Sequence, residues 1–322
     1  MGVGPATPCP PCSRRSTDGS ARRGVTLLEL LVTLAVVGLL LALVLPIVLS
    51  NRRTVELDQV RTGVNQTLRA AHDLIAADIR IAGERFNEIG LGILSPVQLD
   101  ADGSNSVLTL RRAREEWLPV CNDDALVGSS ITVAVTGVLM PQRCIAQSLV
   151  TSGGVDWPPN VLAWRSLLAD SGGQGTAYIH DPASNVGQYF RVEIVDAQPL
   201  QVQCVDACTW DSGAAYHDAT AAVIGLLDVF EYRVDGDGVL VRRDAVTGDE
   251  LRIADGIRRF VVEITRDDGS GADEVLTQFG SDLSWARIRS VDVTISVGLQ
   301  QGRTEIEREM TVEYFPRNVL SR

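Results

Sequence analysis

The chain has 322 residues, of which 45% are hydrophobic, and its 29 basic and 41 acidic residues give a formal net charge of −12. This acidic balance disfavours a broad nucleic-acid surface, which requires net basic patches. About 270 residues follow the apolar segment near the start of the chain, enough for one large domain or two small ones.

A basic leader, residues 1–24, ends at Gly24, and an apolar run from Val25 to Leu49 follows it directly. The run exceeds the roughly 20 residues that a bilayer core requires. In an ordinary secretory signal, small residues follow a short apolar segment and mark the cut. Here the glycine precedes the apolar run, so cleavage at Gly24 would leave the hydrophobic helix on the mature chain. A plain signal anchor is the alternative.

Glu29 is the acidic residue within this apolar run. A carboxylate in a membrane span costs several kcal/mol, and such residues usually have a specific partner and a function. We therefore expect Glu29 to be a functional residue.

The string Arg22-Arg23-Gly24-Val25-Thr26-Leu27-Leu28-Glu29, followed by the apolar run, resembles the class III signal of type IV pilins and pseudopilins. The resemblance implies that prepilin peptidase cuts between Gly24 and Val25 and N-methylates Val25. Family members usually begin with Phe, so Val25 departs from the pattern. Gly38 and Pro46 lie where pilins commonly carry residues that loosen the helix.

The resemblance also implies a role for Glu29 in assembly, because a buried carboxylate needs a compensating charge. The new amino terminus at Val25, on the same or a neighbouring subunit, is the natural candidate. The implied partners are prepilin peptidase, other pilins or minor pilins through the N-terminal helix, the inner-membrane assembly platform and membrane lipid. The implied location is the inner membrane, single-pass with the ectodomain outside the cytoplasm, and then a pilus or pseudopilus.

Apolar residues beyond Ser50 recur mostly every three or four positions, which is the helical period. This pattern predicts an amphipathic helix over residues 50–83 that continues the membrane helix and stops near Gly83. The amphipathic part needs a partner surface. Gly38, Pro46 and Gly63 are positions where the helix could bend.

After Gly83 the sequence changes to short apolar runs separated by turn residues, which predicts a β-rich ectodomain over residues 84–322. The predicted strands are Val107–Leu110, Ile131–Val135, Tyr189–Val195, Leu227–Val234, Val239–Arg242, Arg259–Ile264, Ile288–Leu299 and Met310–Tyr314. Residues 117–164 and 197–220 are predicted to be irregular. The predicted class is α+β: a long N-terminal helix, transmembrane in its lower half, packed on an antiparallel sheet as in pilins.

Four later segments carry a weaker resemblance, one of which, residues 251–257 followed by Phe260, fits the strand after the hairpin of residues 230–243. Residues 77–83 resemble the Asp-x-Arg-x-Ala-Gly helix end of W-type minor pilins, and Phe315-Pro316-Arg317-Asn318 resembles their closing segment. Residues 230–243 resemble a hairpin shared by W-type minor pilins and J-type minor pseudopilins. Residues 84–226 match no pattern.

Cys9 and Cys12 lie in the leader and would be discarded with it, and four cysteines remain. An even number in an exported domain indicates disulfides, and three pairings are possible. Proximity in the chain favours Cys121–Cys144 and Cys204–Cys208. The cysteines and histidines lack the close, paired spacing of a zinc site, so we expect neither metal nor cofactor.

Three other patterns are better explained by structure than by chemistry. Asp235-Gly236-Asp237-Gly238 lies between two apolar runs and is typical of a hairpin turn rather than a calcium loop. Arg111, Arg112 and Arg114 are followed by acidic residues, which favours a salt-bridged edge over a nucleic-acid contact. The histidines at positions 180 and 217 are predicted to be isolated surface residues.

The sequence thus favours a minor pilin of the W type that is a substrate of the processing peptidase and not an enzyme. Three alternatives remain within the pilin-like class: a minor pseudopilin of type II secretion, a DNA-uptake subunit, and a pilus-displayed adhesin whose receptor surface is residues 84–226. An ectoenzyme on a signal anchor is the rival outside that class.

Overall fold

The structure, a computed structural model, describes residues 26–86, 94–134, 144, 149–152, 155–195, 200–205, 208–211, 216–244, 247–280, 283–301 and 304–320. Gly24 and Val25 lie outside the described residues, as does the rest of the leader. Contacts divide the chain into two compact units, Met1–Gln59 and Val60–Arg322.

The described part of the first unit is helical. Helix α1 is assigned to Leu27–Ile81, and its residues up to Gln59 fall in this unit. Among the described residues, α1 is the helix that is long and apolar enough to cross a membrane. Its side chains from Leu27 to Leu49 are exposed, so within this unit the apolar surface has no protein to cover it.

The second unit is built mainly from antiparallel strands. The first nine are β1 (Val97–Asp102), β2 (Asn105–Ala113), β3 (Leu118–Pro119), β4 (Ser130–Ala134), β5 (Val150–Ser152), β6 (Val155–Trp157), β7 (Gln174–Asp181), β8 (Val186–Val195) and β9 (Leu200–Cys204). The others are β10 (Val223–Val234), β11 (Leu240–Asp244), β12 (Glu250–Ala254), β13 (Ile257–Asp267), β14 (Asp273–Leu276), β15 (Ile288–Gln301) and β16 (Thr304–Tyr314). Two further helices are α2 (Pro159–Asp170) and α3 (Arg317–Leu320).

The long strand β10 organises the larger sheet, whose main order is β1-β2-β10-β7-β8-β9-β4. Its first half pairs with β3 and β7, and its second half pairs with β2 and β11. A second sheet has the order β14-β13-β15-β16, and β5 pairs with β6. All of these pairings are antiparallel, so the predicted α+β class, with a long N-terminal helix followed by antiparallel sheets, is confirmed.

The second half of α1 supplies one side of the main hydrophobic core. Val64, Leu68, Ala71, Ile75 and Ile79 recur every three or four residues and are almost fully buried. Strands of both sheets supply the other side, and the strict alternation of β15 places Val291, Val293, Ile295 and Val297 in the same core. The amphipathic pattern predicted for residues 50–83 therefore packs as expected from Val60 onward.

A second core lies within the region that matched no pattern. Trp157 and Trp164 are completely buried there, with side chains from α2, β7, β8 and β9 around them. The described residues of the range 117–226 thus form a lobe with a core of its own, built onto β10.

Each of the eight predicted strands overlaps an observed strand, although Val135, the last residue of one of them, lies outside the described residues. Strands β1, β3, β5, β6, β7, β9 and β14 and helices α2 and α3 were not predicted, and three of them show why. Helix α2 begins at Pro159 within a segment predicted to be irregular; proline is tolerated in the first helical turn because its missing N–H needs no partner there. Strand β7 is buried over six consecutive residues, so it shows no alternation of exposed and buried positions. Strand β9 is five residues long and lies in the other segment predicted to be irregular.

Candidate functional site

The start of α1 is capped by Thr26. The backbone N–H of Glu29 donates to Thr26 Oγ1 at 3.3 Å, and that of Leu30 donates to the Thr26 carbonyl at 3.1 Å. A threonine followed three residues later by glutamate is the capping-box spacing, in which two otherwise unpaired N–H groups at a helix start are satisfied. This role of Thr26 was not predicted from the sequence, although the spacing between Thr26 and Glu29 is that of a capping box.

Glu29 lies in the first turn of α1, where a negative charge interacts favourably with the partial positive charge of the helix amino end. Its side chain is exposed, and within residues 26–59 no cation forms an ion pair with it. The carboxylate is therefore held at the helix start and can receive a positively charged group from outside this unit.

Gly38 and Pro46 both lie inside α1, which is helical at each of them. A Cβ added at Gly38 would meet nothing within 4 Å, so packing within this unit does not require glycine there. Their proposed loosening of the helix stays a prediction about the assembled state.

The other end of α1 is fixed to the β10–β11 hairpin by Asp78. The Tyr232 hydroxyl donates to Asp78 Oδ2 at 2.6 Å, and Arg242 Nε lies 2.9 Å from the same oxygen. Tyr232 and Arg242 are directly opposite each other on β10 and β11. Arg242 also stacks over the Phe230 ring at 3.6 Å, so the acidic residue at the helix end meets a hydroxyl and a guanidinium that the hairpin holds in place.

The chain leaves α1 through Gly83, which has a φ of +76°. Residues other than glycine rarely adopt this backbone conformation. A Cβ added at Gly83 would also lie 3.3 Å from the Pro96 side chain. The Gly83 N–H donates to the Arg111 carbonyl at 2.9 Å, and Asn318 Nδ2 donates to the Ala82 carbonyl at 3.3 Å. Three of the segments with a weaker resemblance, residues 77–83, 230–243 and 315–318, therefore meet at the end of α1.

His72 is a buried polar residue on the face of α1 that meets the smaller sheet. Its Nε2 donates to the Met310 carbonyl at 3.2 Å, and its Nδ1 lies 2.7 Å from the Tyr314 hydroxyl. Because a carbonyl only accepts, Nε2 carries the proton of the neutral ring. The Tyr314 hydroxyl donates to the His72 backbone carbonyl at 3.1 Å and also lies within reach of Nδ1. Burial lowers the pKa of His72, and the hydrogen bond to Met310 opposes that shift.

His180 was predicted to lie on the surface, and that prediction is wrong. It is 2% exposed on β7, whose burial on both faces was not recognised from the sequence. Burial lowers the pKa of His180. His217 is half-buried next to a short 3₁₀ helix.

The four cysteines that follow α1 lie in the lobe built around Trp157 and Trp164. The structure pairs Cys121 with Cys144 at a Cα–Cα distance of 5.8 Å, and Cys204 with Cys208 at 6.2 Å. Both distances fall within the range of disulfides. The bonds in the cellular protein remain part of our proposal below.

The three arginines of the basic patch are held by internal contacts. Arg112 lies 2.7 Å and Arg114 3.7 Å from the Asp228 carboxylate on the neighbouring strand β10. Arg111 donates to the Tyr189 hydroxyl, the Ser95 carbonyl and Gln98 at 2.7–2.9 Å. Salt bridges are present as predicted, but Arg112 and Arg114 make them with Asp228 and not with the acidic residues that follow them in the chain. The predicted edge is wrong, because β2 lies inside the sheet between β1 and β10.

Asp235 forms the predicted turn between β10 and β11. Its side chain accepts hydrogen bonds from the backbone N–H groups of Asp237 and Val239 at 2.9 and 2.8 Å. Within the described ranges, no group of three or more His, Cys, Asp or Glu residues is arranged to hold a metal ion.

Comparison with known proteins identifies the amino-terminal segment. A family model described as the prokaryotic N-terminal methylation motif matches residues 19–45. No curated protein and no solved structure matches the chain. The motif and the long apolar helix that it overlaps fit a type IV pilin-like protein.

Several general properties follow from this signal. It implies processing by prepilin peptidase and assembly of pilin on pilin, and with the apolar helix it indicates membrane anchoring and a pilus at the cell surface. Proteins of this signal family are structural rather than catalytic.

Proposed function

We propose that this protein is a minor pilin of the W type, anchored in the inner membrane before assembly and then incorporated into a pilus-like filament, or priming one. The observation that carries the proposal is the methylation motif at residues 19–45, joined to an apolar helix that its own unit leaves uncovered. Cleavage after Gly24 and methylation of Val25 precede assembly. The ectodomain lies outside the cytoplasm, where Cys121–Cys144 and Cys204–Cys208 are oxidised.

The structure of the ectodomain supports a subunit present in few copies. The helix end, the β10–β11 hairpin and the closing segment resemble W-type minor pilins in sequence and meet at Asp78 and Ala82. The lobe of residues 117–226 adds a second core. A lobe of this size suits a subunit at or near a filament tip better than one repeated along its length. A minor pseudopilin of type II secretion or DNA uptake would share the same signal, the same apolar helix and the same role of Glu29.

Glu29 is the proposed registering residue. As the helices of a filament pack together away from water, its carboxylate pairs with a methylated amino terminus, that of Val25 on a neighbouring subunit. Breaking a buried ion pair costs about 3–5 kcal/mol, which corresponds to roughly a hundredfold change or more in an assembly equilibrium.

The test compares substitutions of Glu29 that separate its charge from its position in the capping box. Glu29→Ala removes both functions, Glu29→Gln keeps a residue suited to the capping box, and Glu29→Asp keeps the charge with a shorter reach. The amount of protein in sheared filaments is measured relative to membranes. We expect near-complete loss for Ala and Gln and an intermediate level for Asp. If the Ala variant enters filaments at the wild-type level, Glu29 does not register the helix, and if Gln assembles normally, its charge is not required.

A further inference from the structure

The outward face of the larger sheet carries a groove of about 490 Å³, on the side away from α1. Its floor is apolar, formed by Val107 on β2 and Val229 on β10, and Tyr189 of β8 lines it as well. The groove therefore spans the boundary between the pilin-like strands and the lobe of residues 117–226. Its volume falls within the range of ligand sites, and five of its eight lining residues are polar or charged.

Hydrogen bonds fix the polar lining of this groove. Arg111 Nε donates to the Tyr189 hydroxyl at 2.8 Å, and Arg111 Nη2 donates to Gln98 Oε1 at 2.7 Å. Gln98 Nε2 then donates to Asp100 Oδ2 at 2.9 Å. The Tyr178 ring meets Tyr189 edge-on at 4.9 Å. The groove is thus organised before any ligand binds.

The charges of the lining favour a cation over an anion. All three nitrogen positions of the Arg111 guanidinium donate to protein oxygens, the third to the Ser95 carbonyl at 2.9 Å. Asp100 accepts from a neutral amide and has no ion pair within the described residues. Glu231 lines the groove from β10, where it pairs with Thr109 of β2. It shares Arg233 with Glu250, and Arg233 lies closer to Glu250 (2.7 Å) than to Glu231 (3.3 Å).

We propose that this groove binds the side chain of an arginine or lysine presented by a partner polypeptide. The aliphatic stem of such a side chain covers Val107 and Val229, and its cationic head lies between the carboxylates of Asp100 and Glu231. Long basic side chains combine these two requirements, because their stems are apolar while their heads stay charged. The groove is a property of the ectodomain, and the proposal does not depend on filament assembly.

Full-length protein in detergent, at low ionic strength, is titrated with three probes observed by ligand NMR. They are acetyl-Ala-Arg-Ala-amide, the same peptide with neutral citrulline in place of arginine, and maltotriose. We expect the arginine peptide to bind at least about tenfold more tightly than the citrulline peptide. Equal binding of the two peptides, binding of maltotriose alone, or binding of none of the probes would overturn the proposal.

Matched variants separate the groove from the general negative charge of the protein. The double variant Asp100→Asn, Glu231→Gln removes both groove carboxylates, and we expect it to lose the preference for arginine. The control Glu307→Gln, Glu309→Gln removes the same charge from exposed positions on β16 and should bind as the wild type does. Thermal unfolding confirms that both variants are folded. Equal weakening in both variants would show nonspecific attraction and contradict the proposal.

Discussion

Asp78, in the last turn of α1, accepts a 2.6 Å hydrogen bond from the Tyr232 hydroxyl in the middle of β10. The two residues are 154 positions apart in sequence, and both are buried. Arg242, opposite Tyr232 on β11, adds its charge to the same carboxylate at 2.9 Å. This contact ties the end of the helix to the hairpin that organises the larger sheet.

Loss of the Asp78 carboxylate should destabilise the ectodomain, because it leaves a largely buried guanidinium and a buried hydroxyl without their partner. We expect Asp78→Ala to lower the free energy of unfolding by about 2–3 kcal/mol, below the usual cost of a fully buried pair because Arg242 retains some exposure. Tyr232→Phe removes one hydrogen bond to a charged group and should cost about 1–2 kcal/mol. Urea unfolding of the full-length protein in detergent, followed by tryptophan fluorescence, measures both effects.

The control for this prediction is Asp255→Ala, which breaks an exposed ion pair with Arg252. The two side chains are 75% and 65% exposed, so the change should stay within about 0.5 kcal/mol. An Asp78→Ala variant no less stable than this control would refute the structural role of Asp78.

A fall in pH should lower the free energy of unfolding of the ectodomain, because two of its histidines are buried. Burial lowers the pKa values of His72 and His180 below the ordinary 6.5. The unfolded chain therefore binds more protons than the folded one between those lowered values and 6.5, and stability rises with pH in that window. The contribution of the two neutral histidines to the free energy of unfolding is complete above about pH 6.5 and is lost as the pH falls through their lowered pKa values.

His72→Gln should reduce this pH dependence between about pH 7 and 5, by up to about 1.4 kcal/mol per pH unit for the proton concerned. His180 keeps part of the slope in this variant. Unfolding free energies of wild type, His72→Gln and the control His217→Gln are compared at several pH values. An unchanged slope in His72→Gln would show that His72 does not contribute to it.

Oxidised protein should contain the Cys121–Cys144 and Cys204–Cys208 bonds, since both pairs lie at disulfide distance. The first closes a loop with a sequence separation of 23 and should contribute more stability, about 2–4 kcal/mol, than the second with its separation of 4. Peptide mapping without reduction identifies the pairs. Free thiols at all four positions would argue against both bonds and against an exported ectodomain.

Periodicity made the fold class predictable from sequence, because α1 and β15 each have one buried face. The same reasoning failed for β7, where burial on both faces removes the alternation, and for α2, which begins at Pro159 inside a segment predicted to be irregular. It singled out Glu29 within the apolar run but missed Thr26 as the residue that caps the start of α1. The meeting of Asp78 with Tyr232 and of Ala82 with Asn318 depends on contacts between segments more than 150 residues apart, and no local pattern reports those.

The amino terminus of the mature protein tests the central claim most directly, since the claim requires that this chain be processed as a prepilin. The protein is purified from membranes of its native host and its amino-terminal peptide is sequenced by mass spectrometry. We expect the chain to begin at Val25 with one added methyl group on its amino nitrogen. A mature chain that retains residues 1–24, or that begins after the apolar run, would contradict the account.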